Sequence, residues 1–181
     1  MTTAATGAVT ERIEFCTSVL KLGSRNPVLL ARPVASVAVL TGGRFGIGWA
    51  PEEFGWCGAP YARRGRRFDE AIEVLRLILD GGMAEYHGEF FDFGRLQMSP
   101  APPKRVPFPI GGHADVALRR AARVADGWSS AMMTLDQLRE TIGRLKVLLA
   151  ERGREHDLFE FQAGCVDRFG PAVSASRRRP G

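Results

Sequence analysis

Polar and apolar residues alternate along Thr10 to Leu20, TERIEFCTSVL, which sets Ile13, Phe15, Thr17 and Val19 on one side of a run rich in β-branched and aromatic residues. A period of two in that composition predicts a strand. After the break KLGSRN, Pro27 opens VLLARPVASVAVL, with Val28, Leu29, Val34, Val37 and Leu40 near helical spacing. Pro33 lies inside it, where a proline removes a hydrogen bond and crowds the preceding turn, so a kinked helix is predicted. TGGR then turns the chain into a short strand, Phe45 to Trp49, with the loop PEEFGWCGAPYARRGRR behind it. Phe68, Ile72, Leu75 and Leu79 share one face of an amphipathic helix that stops at Gly81-Gly82. MAEYHGEFFDF reads as a hairpin around His87-Gly88, and APPKRVPFP as a linker into a strand at Phe108 to Ile110. A helix over Asp115 to Ala125, a strand over Trp128 to Met132, a helix over Leu135 to Arg152 and a strand near Leu158 to Ala163 follow. Residues 1–165 are thus expected to form one domain, and 166–181, where periodicity vanishes, a disordered tail.

Strand and helix alternate throughout, apart from the hairpin excursion. Such repetition demands an α/β fold with a mostly parallel sheet and helical crossovers, either a doubly wound sheet or a (β/α)8 barrel. A whole barrel takes about 250 residues, about 31 per unit, so a chain of this length holds only about five units. If the sheet is a barrel, a partial (β/α)8 TIM barrel is expected.

Composition narrows the function classes. The chain has 181 residues, 45% of them hydrophobic, enough to bury a real core. No apolar run reaches membrane-spanning length and Met1 to Thr10 lacks the start of a secretory signal, so a cytoplasmic protein with no membrane partner is expected. Cys16, Cys57 and Cys165 fall in no metal-ligand spacing and read as reduced, buried or half-buried thiols, with no metal. The formal charge is +5, but Arg177, Arg178 and Arg179 supply three of those charges. Elsewhere basic and acidic residues alternate as on a solvated helix face, which argues against a nucleic-acid partner.

In parallel βα architectures ligands collect at the carboxyl ends of the strands. Gly111-Gly112-His113 sits at such an end: glycines let backbone amides approach a ligand, and the helix start behind them offers free N–H groups and a positive dipole end. An anion fits there, with His113 as a further donor; equally, Gly-Gly makes a tight turn with Asp115 as N-cap. Gly46-Ile47-Gly48-Trp49 strips one strand face of side chains, leaving room for a planar ring or for close packing of another element. Pro51-Glu52-Glu53 offers a general base or mere dipole complementation. Thr17-Ser18-Val19 places hydroxyls at the end of the first strand, where they are also ordinary strand residues. His87 and His156 have no partners in sequence and read as surface residues.

Taken together and in order, TERIEFCTSVL, RNPVLLAR, LTGGR, GIGW followed by EEF, YARRGRRFDEAIEVLR, YHGEFFDF and PFPIGGHADVALRRAARVADGW resemble the bacterial luciferase-like family of flavin- and F420-dependent oxidoreductases. The resemblance covers about Val9 to Trp128 and implies a (β/α)8 barrel. It implies that the strand end at Ser18-Val19 forms a bulge, often with a non-prolyl cis peptide, that backs the deazaflavin or flavin ring. Gly46, Ile47 and Gly48 match the glycine strand beside the cofactor, and Gly111 and Gly112 the loop whose amides hold its phosphate. The implied chemistry is hydride transfer between coenzyme F420 and a small organic substrate, or monooxygenation with FMN; F420 is preferred because the motif set looks most like that branch. An inactive fragment or non-catalytic binding module of the same fold is the alternative, and a phosphosugar-processing βα protein a third reading. The resemblance also implies a homodimer, first βα units that would precede Met1, and a strand at GRFGIGW too compressed to cross the barrel in full.

Overall fold

The structure is a computed structural model that describes residues 2–49 and 62–165. In chain order its elements are α1 (Thr2–Ala8), β1 (Phe15–Leu20), a 3-10 turn (Leu22–Ser24), α2 (Pro27–Leu40), β2 (Phe45–Trp49), α3 (Arg64–Leu79), β3 (Met83–His87), β4 (Asp92–Gln97), β5 (Pro109–Gly111), α4 (Asp115–Val124), β6 (Gly127–Met133), α5 (Leu135–Ala150) and β7 (Glu160–Cys165). β3 and β4 form the antiparallel hairpin; the other five strands make one parallel sheet in the order β1-β2-β5-β6-β7.

That order decides between the two candidate folds. A doubly wound sheet reverses its strand order at a switch point, whereas a barrel adds each new strand beside the last. Here spatial order follows chain order without reversal. The sheet also curls, bringing Cys16 on β1 and Gln162 on β7, the first strand and the last, around one space. Between them lies a cavity of about 230 Å³ near the strand starts, lined in part by Glu14, Cys16, Arg44, Gly46, Pro109, Glu160 and Gln162. The sheet is an arc of a barrel, as expected.

The opposite sheet face makes the core. Phe45 and Ile47 of β2, Ile110 of β5 and Trp128 of β6 are buried with residues of α2, α3, α4 and α5 in one cluster. Full burial of each large side chain contributes about 1.5–3 kcal/mol. On α3 the expected Phe68, Ile72, Leu75 and Leu79 are all buried, joined by Ala71, Val74 and Ile78, and the helix begins earlier, at Arg64.

Other elements depart from expectation. β1 starts at Phe15 rather than Thr10, and Ile13 is exposed. The preceding segment is instead a linker gathered by Arg44, which donates to the carbonyls of Thr41 (2.8 Å), Ile13 (2.6 Å), Gly7 (3.0 Å) and Thr10 (2.7 Å). α1 was not expected because TTAATGA carries no apolar stripe; Gly7 is its one buried residue. α2 is capped by Asn26 and runs through Pro33, but it buries Pro27, Ala31, Val34, Ala35 and Ala38, leaving Leu29 and Leu40 exposed. Small residues on that face let α2 lie close, and size rather than hydropathy chose it. α5 ends at Ala150 and is opened by a capping box between Thr134 and Gln137. β2, although short, pairs with both neighbours: Phe15↔Phe45, Cys16↔Gly46 and Thr17↔Ile47 on one side, Trp49↔Ile110 on the other.

One ion pair fixes the strand that carries the Gly-Gly loop. Arg76 of α3 pairs with Asp126 just before β6, donates to the Val106 carbonyl at 3.0 Å and stacks 4.0 Å from the Phe108 ring centroid. Asp126 also accepts the Phe108 amide at 2.8 Å. Burial lowers the Arg76 pKa and Asp126 opposes that shift. A half-buried pair bonded on all sides in this way holds α3, β5 and β6 in register, and removal of one partner would strand the other.

Candidate functional site

The strand ends gather most of the residues singled out in the sequence, though not in one place. At the end of β1 the Ser18-Val19 peptide is cis, and the pairing with β2 is irregular between Thr17 and Leu20. The bulge and cis bond implied by the family resemblance are both present. Ser18 is exposed and Val19 half-buried.

On β2, Ile47 is fully buried in the core, so only its backbone borders the inner face. Gly48 carries a different constraint: a Cβ there would collide with the Thr17 carbonyl oxygen, and Thr17 Oγ1 donates to the Gly48 carbonyl at 3.2 Å. Close packing of β1 on β2 accounts for this glycine. Gly46 lies in the cavity at the strand starts, away from Gly112. Beside it Cys16 borders that cavity and is exposed, where a buried or half-buried thiol was expected, because β1 is an edge strand of the arc. The cavity walls still desolvate the thiol and raise its pKa, which hydrogen bonds to Gln162 and the Gly48 backbone partly offset. The side chain of Cys165 and all of Cys57, Pro51, Glu52, Glu53 and 166–181 lie outside the described residues.

Gly111 ends β5 and Gly112 begins the turn into α4 with φ +115°, a conformation that favours glycine. A Cβ at Gly112 would also stand 2.9 Å from the Ala117 Cβ. Trp128, buried beneath, donates its indole N–H to the Gly112 carbonyl at 2.9 Å and meets the His113 ring edge-on at 6.3 Å. Asp115 is the first residue of α4 rather than its N-cap; Ala114 holds the cap position without a side-chain bond. The Asp115 carboxylate turns instead to Arg119 (2.6 Å) and Arg144 (2.9 Å). The hydrogen bond from Arg119 holds its pKa below the ordinary carboxylate value. Asp115 thus places a neutralised charge, not a cap, beside the helix start, where the Ala117 amide already donates to the Ala114 carbonyl at 2.8 Å.

Facing that helix start is a cluster that sequence reasoning passed over. Arg63, Arg64 and Gly65 from the beginning of α3 line, with Gly112, His113, Ala114, Val116, Ala117 and Arg120, one cavity of about 530 Å³. Arg120 is anchored to Asp69 at 2.6 Å. The signal is in the run ARRGRR, four arginines around one glycine, which the sequence places in a loop and the structure places at the start of α3. Positive side chains, a helix N-terminus and an open glycine turn around one space can hold an oxyanion.

His113 is exposed and also borders a second recess with Met132, Met133, Gln137, Glu140, Thr141 and Arg144. Met132 has φ +59°, uncommon for a side chain of its size. His87 is exposed as expected but has partners, Asp92 and Glu85, each at 3.0 Å. His156 is exposed, with Glu155 4.0 Å away. Among the described residues no group of three or more His, Cys, Asp or Glu could hold a metal ion, and no helix is long and apolar enough to cross a membrane.

Comparisons with known proteins agree with the barrel fold. The family model described as luciferase-like monooxygenase matches residues 1–166. An uncharacterised protein of Mycobacterium tuberculosis is 45% identical over 172 residues, which are 92% of this chain and 59% of the relative. Among solved structures, the coenzyme F420 dependent tetrahydromethanopterin reductase from Methanopyrus kandleri superposes with a TM-score of 0.79 at 20% identity, over 89% of this chain and 52% of that one. The oxygenating constituent of 3,6-diketocamphane monooxygenase from Pseudomonas putida, solved in complex with FMN, gives a TM-score of 0.74 at 17% identity, over 88% and 50%. The chain therefore spans between half and three fifths of the length of these three proteins.

Proposed function

Because the chain belongs to the luciferase-like monooxygenase family, we propose that it binds the phosphate-bearing end of a flavin-type cofactor at the Gly112 turn. Coenzyme F420 is taken first on the family resemblance, and FMN second. The observation that carries this reading is the convergence of Arg63, Arg64 and the α4 start on one cavity floored by Gly112. The fit is chemical: the turn has a backbone shape that a Cβ would fill, and the surrounding cations match a phosphate monoester or diester.

When bound, such a cofactor supplies hydride transfer with F420 or oxygen activation with FMN, acting on a small organic substrate. The residues of this chain do the holding. Gly112 and the first turn of α4 present amides to the phosphate, Arg63 and Arg64 neutralise it, and Trp128 fixes the turn from below. The cis Ser18-Val19 strand end lies two strands away across β2, about 10 Å at ordinary strand spacing. That separation suits a ring at β1 and a phosphate at β5.

A second reading, a binding module without catalysis, is favoured by the make-up of the lining. Among the described residues around this cavity His113 is the one side chain able to exchange a proton, since arginines cannot.

Fluorescence titration tests the proposal with FMN against riboflavin and F420 against its phosphate-free counterpart. The phosphate-bearing form of one pair should bind at least about tenfold tighter, as one charge-assisted contact set implies, and Arg63→Ala should erase the difference. Equal binding with and without phosphate would count against the site.

A further inference from the structure

Arg63 and Arg66 leave the start of α3 on the same side, and both meet one carboxylate. Arg66 Nη2 lies 3.0 Å from Glu89 Oε2, and Arg63 Nη1 pairs with Glu89 Oε1. Glu89 stands in the four-residue turn between β3 and β4, at the tip of the hairpin excursion. The turn is fixed from inside the protein: Glu70, buried on α3, accepts the amides of Phe90 (2.9 and 3.2 Å) and Phe91 (2.8 Å). Arg67 lies over the Phe91 ring at 4.7 Å, and Arg63 over the Phe90 ring at 5.3 Å. Thus an unusually firm hairpin tip holds the arginine that walls the phosphate cavity.

We propose that Glu89 is a positioning residue for the phosphate site, delivering the Arg63 guanidinium already oriented. This rests on the phosphate reading of the cavity given above. An arginine with a side chain 61% exposed samples many rotamers, and a ligand that must order it loses affinity. A guanidinium is a planar fork of five donors, so engaging Nη1 on Glu89 leaves the remainder of the fork for an oxyanion. The charge of Glu89 opposes the incoming phosphate, but Arg63 and Arg66 both pair with it and offset that repulsion, and the Phe90 ring beneath Arg63 adds a contact that does not rest on the carboxylate alone. The hairpin therefore acts on the strand-end site without touching the ligand.

The test compares wild type, Glu89→Ala, Glu89→Gln and Arg63→Ala in their affinity for the tighter-binding phosphate cofactor and for its phosphate-free counterpart. Glu89→Ala should weaken the phosphate form about five- to tenfold and leave the phosphate-free form unchanged, a split that a general loosening of the fold would not produce. Glu89→Gln, which keeps an acceptor, should fall between and serves if the alanine variant does not fold. Amide exchange at 62–66 should rise in Glu89→Ala while that of the β3–β4 strands holds. If Arg63→Ala loses phosphate affinity but Glu89→Ala keeps or gains it, the positioning role is overturned and the phosphate site stands. If Arg63→Ala also changes nothing, the phosphate reading fails and the role of Glu89 falls with it.

Discussion

The indole N–H of Trp128 donates to the carbonyl oxygen of Gly112 at 2.9 Å, linking the deepest aromatic side chain of the core to the turn at the strand end. Trp128→Phe would keep most of the apolar area and strand that carbonyl without its donor. We expect a loss of about 1–3 kcal/mol in unfolding free energy, read from urea denaturation, together with weaker binding of the phosphate-bearing cofactor. An unchanged denaturation midpoint would show that the turn does not depend on this bond.

Gly112→Ala asks whether the turn itself matters. Its φ of +115° is strained for alanine, and the new methyl would press on Ala117 at the first turn of α4. The cost should be about 1–3 kcal/mol. Preference for FMN over riboflavin, or the equivalent F420 pair, should vanish while circular dichroism still reports a folded chain.

Glu70 is the single acceptor for two adjacent amides in the hairpin turn. Glu70→Ala should lower stability by about 1–3 kcal/mol for each donor left buried without a partner. Amide exchange at Phe90 and Phe91 should accelerate first, ahead of the α3 core; simultaneous acceleration everywhere would mean the contact is not local.

His87 makes the hairpin sensitive to pH. Hydrogen bonds to Asp92 and then Glu85 raise its pKa above 6.5. A raised folded-state pKa means that the contribution is complete below the unfolded value and is lost as pH rises through the folded one. Protection of β3 and β4 amides, corrected for intrinsic exchange, should therefore decline as pH climbs above 6.5, and His87→Gln should show no such decline.

Periodicity in the sequence revealed α3 because it buries a repeating face, Phe68, Ile72, Leu75 and Leu79, whereas the hairpin was legible from its His87-Gly88 turn, its strands burying little. Periodicity placed Val34 in the core with Val28 and Val37 packed against it, but wrongly added Leu29 and Leu40 to that face of α2, where Ala31, Ala35 and Ala38 meet the core instead; close helix approach selects small side chains, which hydropathy undervalues. α1 was invisible because a distant guanidinium rather than an apolar stripe holds it. At the candidate site, Gly112 was legible from its place after a strand. Arg63, Glu89 and Glu70 were not, since they come together only when the hairpin folds back onto the start of α3. Of the two readings open for Gly48, a ring or close packing, the Thr17 carbonyl favours close packing.

Arg44 carries a last consequence. Its guanidinium and Nε gather the carbonyls of Gly7, Thr10, Ile13 and Thr41 while the ring of Phe15 lies 5.6 Å away, so α1 and its linker are riveted at one point. A guanidinium does not lose its proton in proteins, so rising pH cannot release this rivet as it slackens the hairpin, but one cut or one substitution can. Arg44→Met should leave the sheet intact and expose residues 9–14 to limited proteolysis, turning the first stretch of the chain from a fitted piece into a loose lead.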